Sequence, residues 1–244
     1  MTHRQPVPVR VRAGDGSLLD GETGPGESWY GAATRLLAEC GHPADVPDAL
    51  DLSGGVKLFG CDRDTHIGFR RMTRADLPAM VAWQAEPHVS RWWDGDTGDV
   101  AAAERRYGAR IDGTDPTRLW VLEVNGRSVG WVQDYRIGDH PDYALLTGSP
   151  DAVGLDYAIG APAFVGRGIG TRALWVYLRD VVRSGYPEAG EFFAAPDHRN
   201  AASLRMLDKL GFARGLWFDE PQRDGRVDTV VGCSLEVRRV LGWH

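Results

Sequence analysis

The sequence predicts an α/β domain of the α+β type, in which helices flank a mixed and largely antiparallel sheet, with an N-terminal add-on before it. Two observations support this class. Short apolar strands in hairpin and meander patterns occur at both ends of the regular part of the chain, and one strand–loop–helix–strand unit lies between them. The length of 244 residues fits one large domain, or one domain with a small extra module.

The first 66 residues differ in composition from the rest of the chain. Proline and glycine are dense between Gln5 and Ser28, which is typical of short extended pieces and turns. Ser28 is placed to cap a short helix over Trp29–Glu39, whose apolar residues share one face. We expect residues 1–66 to be an N-terminal extension of open role that packs on a main domain formed by residues 67–244.

The regular part of the chain begins with a strand over residues 67–72. Thr73 is placed to cap the helix that follows, because Asp76 lies three residues on and favours a helix start. A second helix is expected over residues 99–111. Two helices therefore separate the first strand from the rest of the sheet.

A hairpin is predicted over residues 119–135, because apolar strands flank Asn125-Gly126, the strongest short hairpin signal. The next strand covers residues 153–159 and leads through a glycine-rich loop into a helix that runs to about residue 183. The later predicted elements are a strand over 191–195, a helix over 200–210, and strands over 213–218 and 227–237.

Composition and charge exclude several classes of protein. No run of about 18 apolar residues predicts a membrane-spanning helix, and the N-terminus lacks the apolar run of a secretory signal, so we expect a cytoplasmic protein. The net charge of −6 argues against a nucleic-acid partner and suits a cationic small molecule. Cys40, Cys61 and Cys233 lie far apart without metal-ligand spacing, which predicts free thiols and no metal site.

The glycine-rich loop is the strongest candidate binding site. It consists of Val165, Gly166, Arg167, Gly168, Ile169, Gly170 and Thr171. Its glycines let successive backbone N–H groups converge on an anion, and the helix start and Arg167 add positive charge. A tight turn without a ligand is the alternative. The loop is neither a Walker loop, which ends in Gly-Lys-Ser/Thr, nor a good Rossmann fingerprint.

With a strand before it and a long helix after it, this loop resembles the pyrophosphate loop of the GNAT-family N-acetyltransferases. The segment from Asn200 to Gly211-Phe212 is similar to the closing motif of that family, where a helix ends in Gly-Phe before the next strand. The resemblance covers roughly residues 67–237. It implies a GNAT-like fold and acetyl-CoA as the cofactor, bound by the loop with Asn200 and Arg205 as further contacts. Val165 departs from the family, in which Gln or Arg is common.

Within the family, the chain resembles the aminoglycoside 6′-N-acetyltransferases. The resemblance is carried by residues 72–77, by His88-Val89-Ser90-Arg91-Trp92-Trp93 and by Gly154-Leu155-Asp156. In that subfamily the Trp-Trp pair lies beside the acceptor pocket and the acid of the strand faces the substrate amines. The resemblance therefore implies substrate-binding roles for Trp92, Trp93 and Asp156; for the two tryptophans, a core position is the alternative.

Acidic residues are frequent between Trp131 and Gly160, where the sequence has five acids and a single base, Arg136. The acids are Asp134, Asp139, Asp142, Asp151 and Asp156. Carboxylates around a polyamine add affinity and steer its approach, so we expect Asp139 and Asp142 to bind the acceptor; a solvated turn is the alternative. Asp156 lies inside an apolar strand, where an unpaired acid is costly, and this favours a functional role.

Acetyl transfer to an amine requires a group that accepts the amine proton and a group that stabilises the oxyanion, and the sequence has a candidate for each. Asp156 is the candidate acceptor of the amine proton, directly or through water. A backbone N–H near Ile159, splayed from the neighbouring strand, is the candidate donor to the thioester oxygen. Many relatives have a Tyr as leaving-group acid where this chain has Leu207; Tyr157 and Ser203 are the substitutes, or the thiolate leaves unassisted.

Two other functions stay open. The segment Pro196-Asp197-His198-Arg199-Asn200 is similar to one in siderophore-type lysine or hydroxylysine N-acyltransferases, a GNAT branch with His where Asp156 stands; His140 is then the candidate base. A non-catalytic sensor that binds CoA or a polyamine is the third interpretation, supported by the missing Tyr. The expected partner is a small-molecule amine, with neither nucleic acid nor membrane, and a homodimer is left open.

Overall fold

The computed structural model describes residues 5–42, 49–51, 57–60, 65–93, 98–222 and 225–242. Its N-terminal part forms a four-stranded sheet in the order β2-β1-β4-β3. The strands are β1 (Pro8–Arg12), β2 (Leu18–Glu22), β3 (Ala49–Asp51) and β4 (Lys57–Gly60). Helix α1 (Trp29–Glu39) begins as predicted, because the Ser28 side chain accepts a hydrogen bond from the Gly31 N–H.

The N-terminal segment and the following residues share apolar packing. Val9, Val11 and Trp29 belong to the same buried cluster as Trp175. The ring of Tyr30 lies 6.2 Å from that of Trp175. The division into residues 1–66 and 67–244 stays a prediction.

A seven-stranded sheet forms the larger part of the structure, in the order β10-β11-β9-β8-β7-β6-β5. Its strands are β5 (Ile67–Arg71), β6 (Arg118–Val124), β7 (Arg127–Arg136), β8 (Val153–Ile159), β9 (Glu191–Ala194), β10 (Ala213–Pro221) and β11 (Val227–Glu236). Every neighbouring pair is antiparallel except β8 and β9, which run parallel. The predicted mixed and largely antiparallel sheet is confirmed.

Helices cover both faces of this sheet. They are α2 (Leu77–Ala85), α3 (Pro87–Ser90), α4 (Val100–Asp112), α5 (Pro141–Thr147), α6 (Ile169–Val176), α7 (Arg183–Gly185), α8 (Ala201–Leu210) and α9 (Val237–Leu241). A π-helical segment, Tyr177–Val182, joins α6 to α7, so the long helix reaches residue 185. Among the described residues, no helix has both the length and the apolar character that crossing a bilayer requires.

Local signals placed most of these elements correctly. The turn between β6 and β7 has positive φ at Asn125 (50°) and Gly126 (75°), the geometry that this dipeptide favours. Asp99 caps α4 by accepting from the Ala102 N–H. The short helices α3, α5 and α9 were not predicted; the first two begin with Pro, which is as typical of a turn as of a helix start.

Two cysteines lie among the described residues. Cys40 is exposed and Cys233 is buried, and both are free thiols, as predicted. Cys61 lies outside the described residues.

The pairing of β8 opens a cleft in the sheet. Strand β8 pairs with β7 from Val153 to Ile159, but with β9 only at Val153 and Gly154. Beyond Gly154 the two parallel strands diverge. The second half of β8 therefore has β7 on one side and open space on the other.

Asp134 lies on the face of the sheet opposite to Asp156 and is fully buried. Its carboxylate accepts from Arg118 Nε at 2.5 Å, from Trp120 Nε1 at 3.1 Å and from the Tyr177 hydroxyl. Three donors around one buried carboxylate fix the packing of the π-helical segment against β6 and β7. Asp134 therefore has a structural position and does not join the acids expected around an acceptor.

We predict that Asp134→Ala lowers the free energy of unfolding by about 3–5 kcal/mol, because it leaves the partly buried Arg118 guanidinium without its partner. Urea denaturation followed by tryptophan fluorescence measures this change. The matched control, Asp151→Ala, removes an exposed acid and should stay within about 0.5 kcal/mol of the parent. A loss below about 1 kcal/mol for Asp134→Ala would contradict the structural role.

Candidate active site

Two adjoining cavities occupy the cleft at the end of β8. The loop cavity, of about 520 Å³, lies between residues 165–171, α6 and the start of α8. The Asp156 cavity, of about 310 Å³, lies between α4, β7, β8 and the β10–β11 hairpin. Five residues line both: Trp92, Trp93, Tyr157, Asn200 and Ser203. The two cavities meet at these side chains.

The glycine loop turns into α6 through residues with positive φ, 74° at Gly166 and 77° at Gly168. Such angles are strained for residues with a Cβ, so glycine is required at both positions. Gly168 is the N-cap of α6, and among the described residues no side chain caps this helix start. Backbone N–H groups of the first turn are thus left for an anionic ligand, and the helix dipole favours one there.

The other predicted residues of the loop divide into two groups. Val165, Gly170 and Thr171 line the loop cavity together with the two glycines. Ile169 is buried beneath the loop, and Arg167 is exposed with Nη1 donating to the Ala163 carbonyl at 3.3 Å. Neither Ile169 nor Arg167 lines the loop cavity or the Asp156 cavity.

The predicted contacts on α8 also differ in position. Asn200 lines both cavities, and its side-chain oxygen caps α8 by accepting from the Ser203 N–H at 3.1 Å. Arg205 is exposed and lines neither cavity. The cofactor-binding roles of the loop, Asn200 and Arg205 stay predictions.

The backbone at the end of β8 faces the cleft. The Gly160 N–H donates to the Val129 carbonyl at 2.8 Å, and successive residues of a strand direct their polar groups to alternate sides. The N–H and C=O of Ile159 therefore face away from β7. His88 Nε2 lies 2.9 Å from the Ile159 carbonyl oxygen and orders this end of the strand. The N–H of Ile159 has the position that the sequence interpretation requires, and its catalytic role stays a prediction.

Asp156 lines its cavity at the end of a hydrogen-bonded chain. Gln133 Nε2 donates to Asp156 Oδ2 at 2.6 Å, and Arg110 Nη1 donates to Gln133 Oε1 at 2.8 Å. Burial raises the pKa of Asp156, while the hydrogen bond from Gln133 and the charge of Arg110 act in the opposite direction. A carboxylate with a raised pKa is a stronger base than an exposed one.

Tyr157 and Ser203 meet at the wall between the two cavities, with their hydroxyl oxygens 2.8 Å apart. Burial raises the pKa of Tyr157, so its hydroxyl stays protonated at neutral pH. Leu207 is fully buried in the core and does not reach the cleft. Of the groups that could replace a tyrosine at position 207, the structure brings Tyr157 and Ser203 together.

Trp92 and Trp93 follow α3 and are both half-buried. The ring of Trp93 lies 5.5 Å from that of Trp131, which in turn stacks on Trp83 at 6.2 Å. Both tryptophans line the two cavities. Trp93 is therefore supported from the core, and both tryptophans are presented to the cleft.

Asp139 and Asp142 lie apart from Asp156. Asp139 ends a short 3₁₀-helix and Asp142 is in the first turn of α5; both are exposed and line neither cavity. Their substrate-binding role stays a prediction.

Charged residues of the Asp156 cavity that the sequence interpretation missed come from two other elements. Arg106 and Arg110 lie four residues apart on α4, and Glu220 and Asp228 face each other across the β10–β11 hairpin. The spacing of the arginines shows that they share a helix face. Which way that face points depends on how α4 packs, and the sequence carries no signal for this.

A family model described as an acetyltransferase (GNAT) domain matches residues 72–219. Three solved structures illustrate the likeness of fold. Aminoglycoside acetyltransferase AAC(6′)-Ib in complex with coenzyme A and kanamycin is 22% identical with a TM-score of 0.58, and the match covers 71% of this chain and 96% of that one.

The second, a putative acetyltransferase (yncA) from Salmonella typhimurium with acetyl-CoA, is 22% identical with a TM-score of 0.51 and coverages of 70% and 94%. The third is the aminoglycoside N(6′)acetyltransferase from Legionella pneumophila. It is 18% identical with a TM-score of 0.54, over 70% of this chain and 92% of that one. At these identities the likeness shows the fold.

We predict that Asp156→Asn raises the thermal unfolding midpoint at pH 7. Because the pKa of Asp156 is raised in the folded protein, its protonated form favours folding below the unfolded-state pKa, and this contribution is lost as the pH rises through the folded-state pKa. Asn removes the cost of the ionised form, so the gain should shrink toward about pH 4. Calorimetry at both pH values measures it.

The matched control for this stability prediction is Asp142→Asn, which changes an exposed acid on α5 and should leave the midpoint at both pH values nearly unchanged. A lower midpoint of Asp156→Asn than of the parent at pH 7 would contradict the argument.

Proposed function

The chain belongs to the GNAT family of acetyl-CoA-dependent N-acetyltransferases, and we propose that it acetylates a primary amine of a small molecule held in the Asp156 cavity. One observation carries this proposal. The loop cavity and the Asp156 cavity meet at Tyr157 and Ser203, so a thioester and an amine bound in them would be in contact. Holding both reactants together removes much of the entropic cost of their reaction.

The loop cavity fits acetyl-CoA in its chemistry. Backbone N–H groups around Gly166 and Gly168 and the uncapped start of α6 suit a pyrophosphate. Apolar side chains of Leu174 and Met206 line the part toward β8, where the uncharged arm of the cofactor would lie. When bound, acetyl-CoA supplies an acetyl group that is activated as a thioester.

Three groups of the chain then have separate tasks. Asp156 accepts the proton that the amine must lose before its nitrogen forms a bond to the acetyl carbon. The Ile159 N–H stabilises the negative charge that develops on the thioester oxygen. The Tyr157 hydroxyl, kept protonated by burial and in contact with Ser203, donates a proton to the sulfur as the C–S bond breaks.

Two acceptor classes have support. An aminoglycoside, acetylated at its 6′-amine as in resistance enzymes, is supported by the carboxylates of the cavity lining, among them Asp156, Glu220 and Asp228, and by the likeness of fold to aminoglycoside acetyltransferases. A lysine-type amine is the second class. The two arginines, Arg106 and Arg110, in the same lining favour it, because they repel a polycation.

We expect CoA-thiol release from acetyl-CoA in the presence of a primary amine from a panel of kanamycin, lysine and hydroxylysine. Asp156→Asn should lower kcat by roughly 100-fold or more, because the amine loses its proton acceptor, while the Kd for CoA stays within about twofold. Steady-state kinetics and isothermal titration calorimetry measure the two effects.

The control for this kinetic prediction is Asp151→Asn, which changes an exposed acid that lines neither cavity, so kcat should be unchanged. Equal losses of kcat and CoA affinity in Asp156→Asn would remove Asp156 from the acceptor side. CoA binding without thiol release for any amine would contradict catalysis and favour a sensor.

We predict that Gly168→Ala weakens CoA binding by about tenfold, or about 1.4 kcal/mol. Alanine is strained at the φ of 77° found here by about 1–2 kcal/mol, so the loop must change shape and misplace its N–H groups. Gly113→Ala is a matched control: Gly113 has a φ of 76° at the end of α4 and lines neither cavity. Calorimetric titration with CoA should show the loss only in Gly168→Ala; equal affinities in both variants would contradict the role of the loop.

A further inference from the structure

The wall of the Asp156 cavity formed by α4 is cationic. Arg106 and Arg110 both line this cavity, and neither lines the loop cavity. Their four-residue spacing places them on one face of the helix. The ring of the buried Tyr107 lies 5.5 Å and 5.7 Å from the two guanidinium carbons. Two cations at this wall do not serve to bind the phosphates of CoA, because the proposed CoA site is the other cavity.

Arg106 is the less satisfied of the two side chains. Its Nε and Nη1 atoms are buried, and neither has a hydrogen-bond partner within the part of the chain that the structure describes. Leaving charged donors buried and unpaired costs several kcal/mol, and packing on Tyr107 returns only a fraction of that. Because Arg106 lines the cavity, a ligand bound there can supply the missing acceptor.

Arg110 is held in place by the protein, and one of its buried N–H groups makes no hydrogen bond to the described residues. Its Nη1 donates to Gln133, which orients Asp156. Its Nε is buried, has no hydrogen-bond partner among the described residues, and forms an ion pair with Asp115, whose Oδ2 lies 3.8 Å away. Arg110 therefore connects the cationic wall to the candidate base.

The acids of the cavity lie on its other walls. Asp156 comes from β8, and Glu220 and Asp228 come from the β10–β11 hairpin. Asp197 also lines the cavity; its carboxylate accepts from Arg199 at 2.7 and 2.9 Å, and the same guanidinium lies 3.9 Å from Asp228. Positive and negative charges are thus separated across the cavity, which suits a molecule with a charge of each sign.

We propose that Arg106 and Arg110 form an anion subsite that binds a carboxylate of the acceptor, so that the acetylated molecule is an amino-carboxylate. This rests on the proposed acetyl transfer and narrows its substrate class. A planar carboxylate matches the N–H geometry of a guanidinium, whereas a doubly charged phosphate would be repelled by the acids opposite. The carboxylate at α4 directs the amine of the same molecule toward Asp156.

Pairs of amines that differ only in a carboxylate test the subsite. The pairs are 6-aminohexanoate with pentylamine, and lysine with cadaverine. We expect kcat/KM for thiol release to be at least about tenfold higher for the carboxylated member, since a hydrogen-bonded charge pair is lost in the other. In Arg106→Gln the ratio within each pair should fall toward one, mainly through KM.

The matched control is Arg105→Gln, which changes an exposed arginine one residue earlier on the same helix and should keep the ratios of the parent. The thermal midpoint of Arg106→Gln should be no lower than that of the parent, because a buried unpaired charge is removed. Equal rates within each pair for the parent would overturn the subsite. An equal fall of kcat/KM for both members of each pair in Arg106→Gln, together with a lower thermal midpoint, would also overturn the subsite, because that result is expected of an arginine with a structural role only.

The same assays separate failure of the subsite from failure of the proposed function. Turnover of kanamycin with no preference within the amine pairs would overturn the subsite and leave acetyl transfer standing. Absence of thiol release with every amine would contradict acetyl transfer; calorimetric titration of the CoA-saturated protein with 6-aminohexanoate then decides the subsite. Binding that is lost in Arg106→Gln supports it, and no binding to the parent overturns it.

Discussion

Strand β8 keeps its antiparallel partner β7 along its whole length but separates from its parallel partner β9 after Gly154. Backbone N–H and C=O groups that lose a strand partner need another one. His88 Nε2 contacts the Ile159 carbonyl oxygen, and the other unpaired backbone groups at this end of β8 face a cleft. The glycine loop, the start of α8 and both cavities lie around this divergence, so the site depends on where β8 and β9 part.

Side chains alternate between the two faces of the sheet along β7 and β8, and this places Asp134 and Asp156 on opposite faces. Gln133 pairs with Asp156 across the two strands and shares the face that lines the cavity. Asp134, one residue later, pairs with Leu155 on the other face, where Arg118 and its neighbours hold it in a dry environment. Two acids on adjacent strands thus lie in different surroundings, on opposite faces of the sheet, because the side-chain period of a strand is two residues.

Signals that act over a few residues predicted most of the fold. The Asn125-Gly126 turn, the Ser28 cap and the glycine loop before α6 each depend on backbone preferences of the residues themselves, and the structure has the expected element at each place. The strand Val153–Ile159 was predicted to the residue. Short helices such as α5 escaped prediction, because Pro-Asp at a helix start is equally typical of a turn.

For the candidate site, the sequence by itself determined the glycine loop and Asp156 in its strand, since each is a local departure from an apolar or regular pattern. The family resemblance added the tryptophan pair. The tertiary structure alone decided which other charges join them. It brings Arg106 and Arg110 beside Asp156 and leaves Asp139 exposed elsewhere. The physical reason is that α4 is oriented by contacts distant in sequence, such as the hydrogen bond from Gln84 to Tyr107, which helical periodicity does not encode.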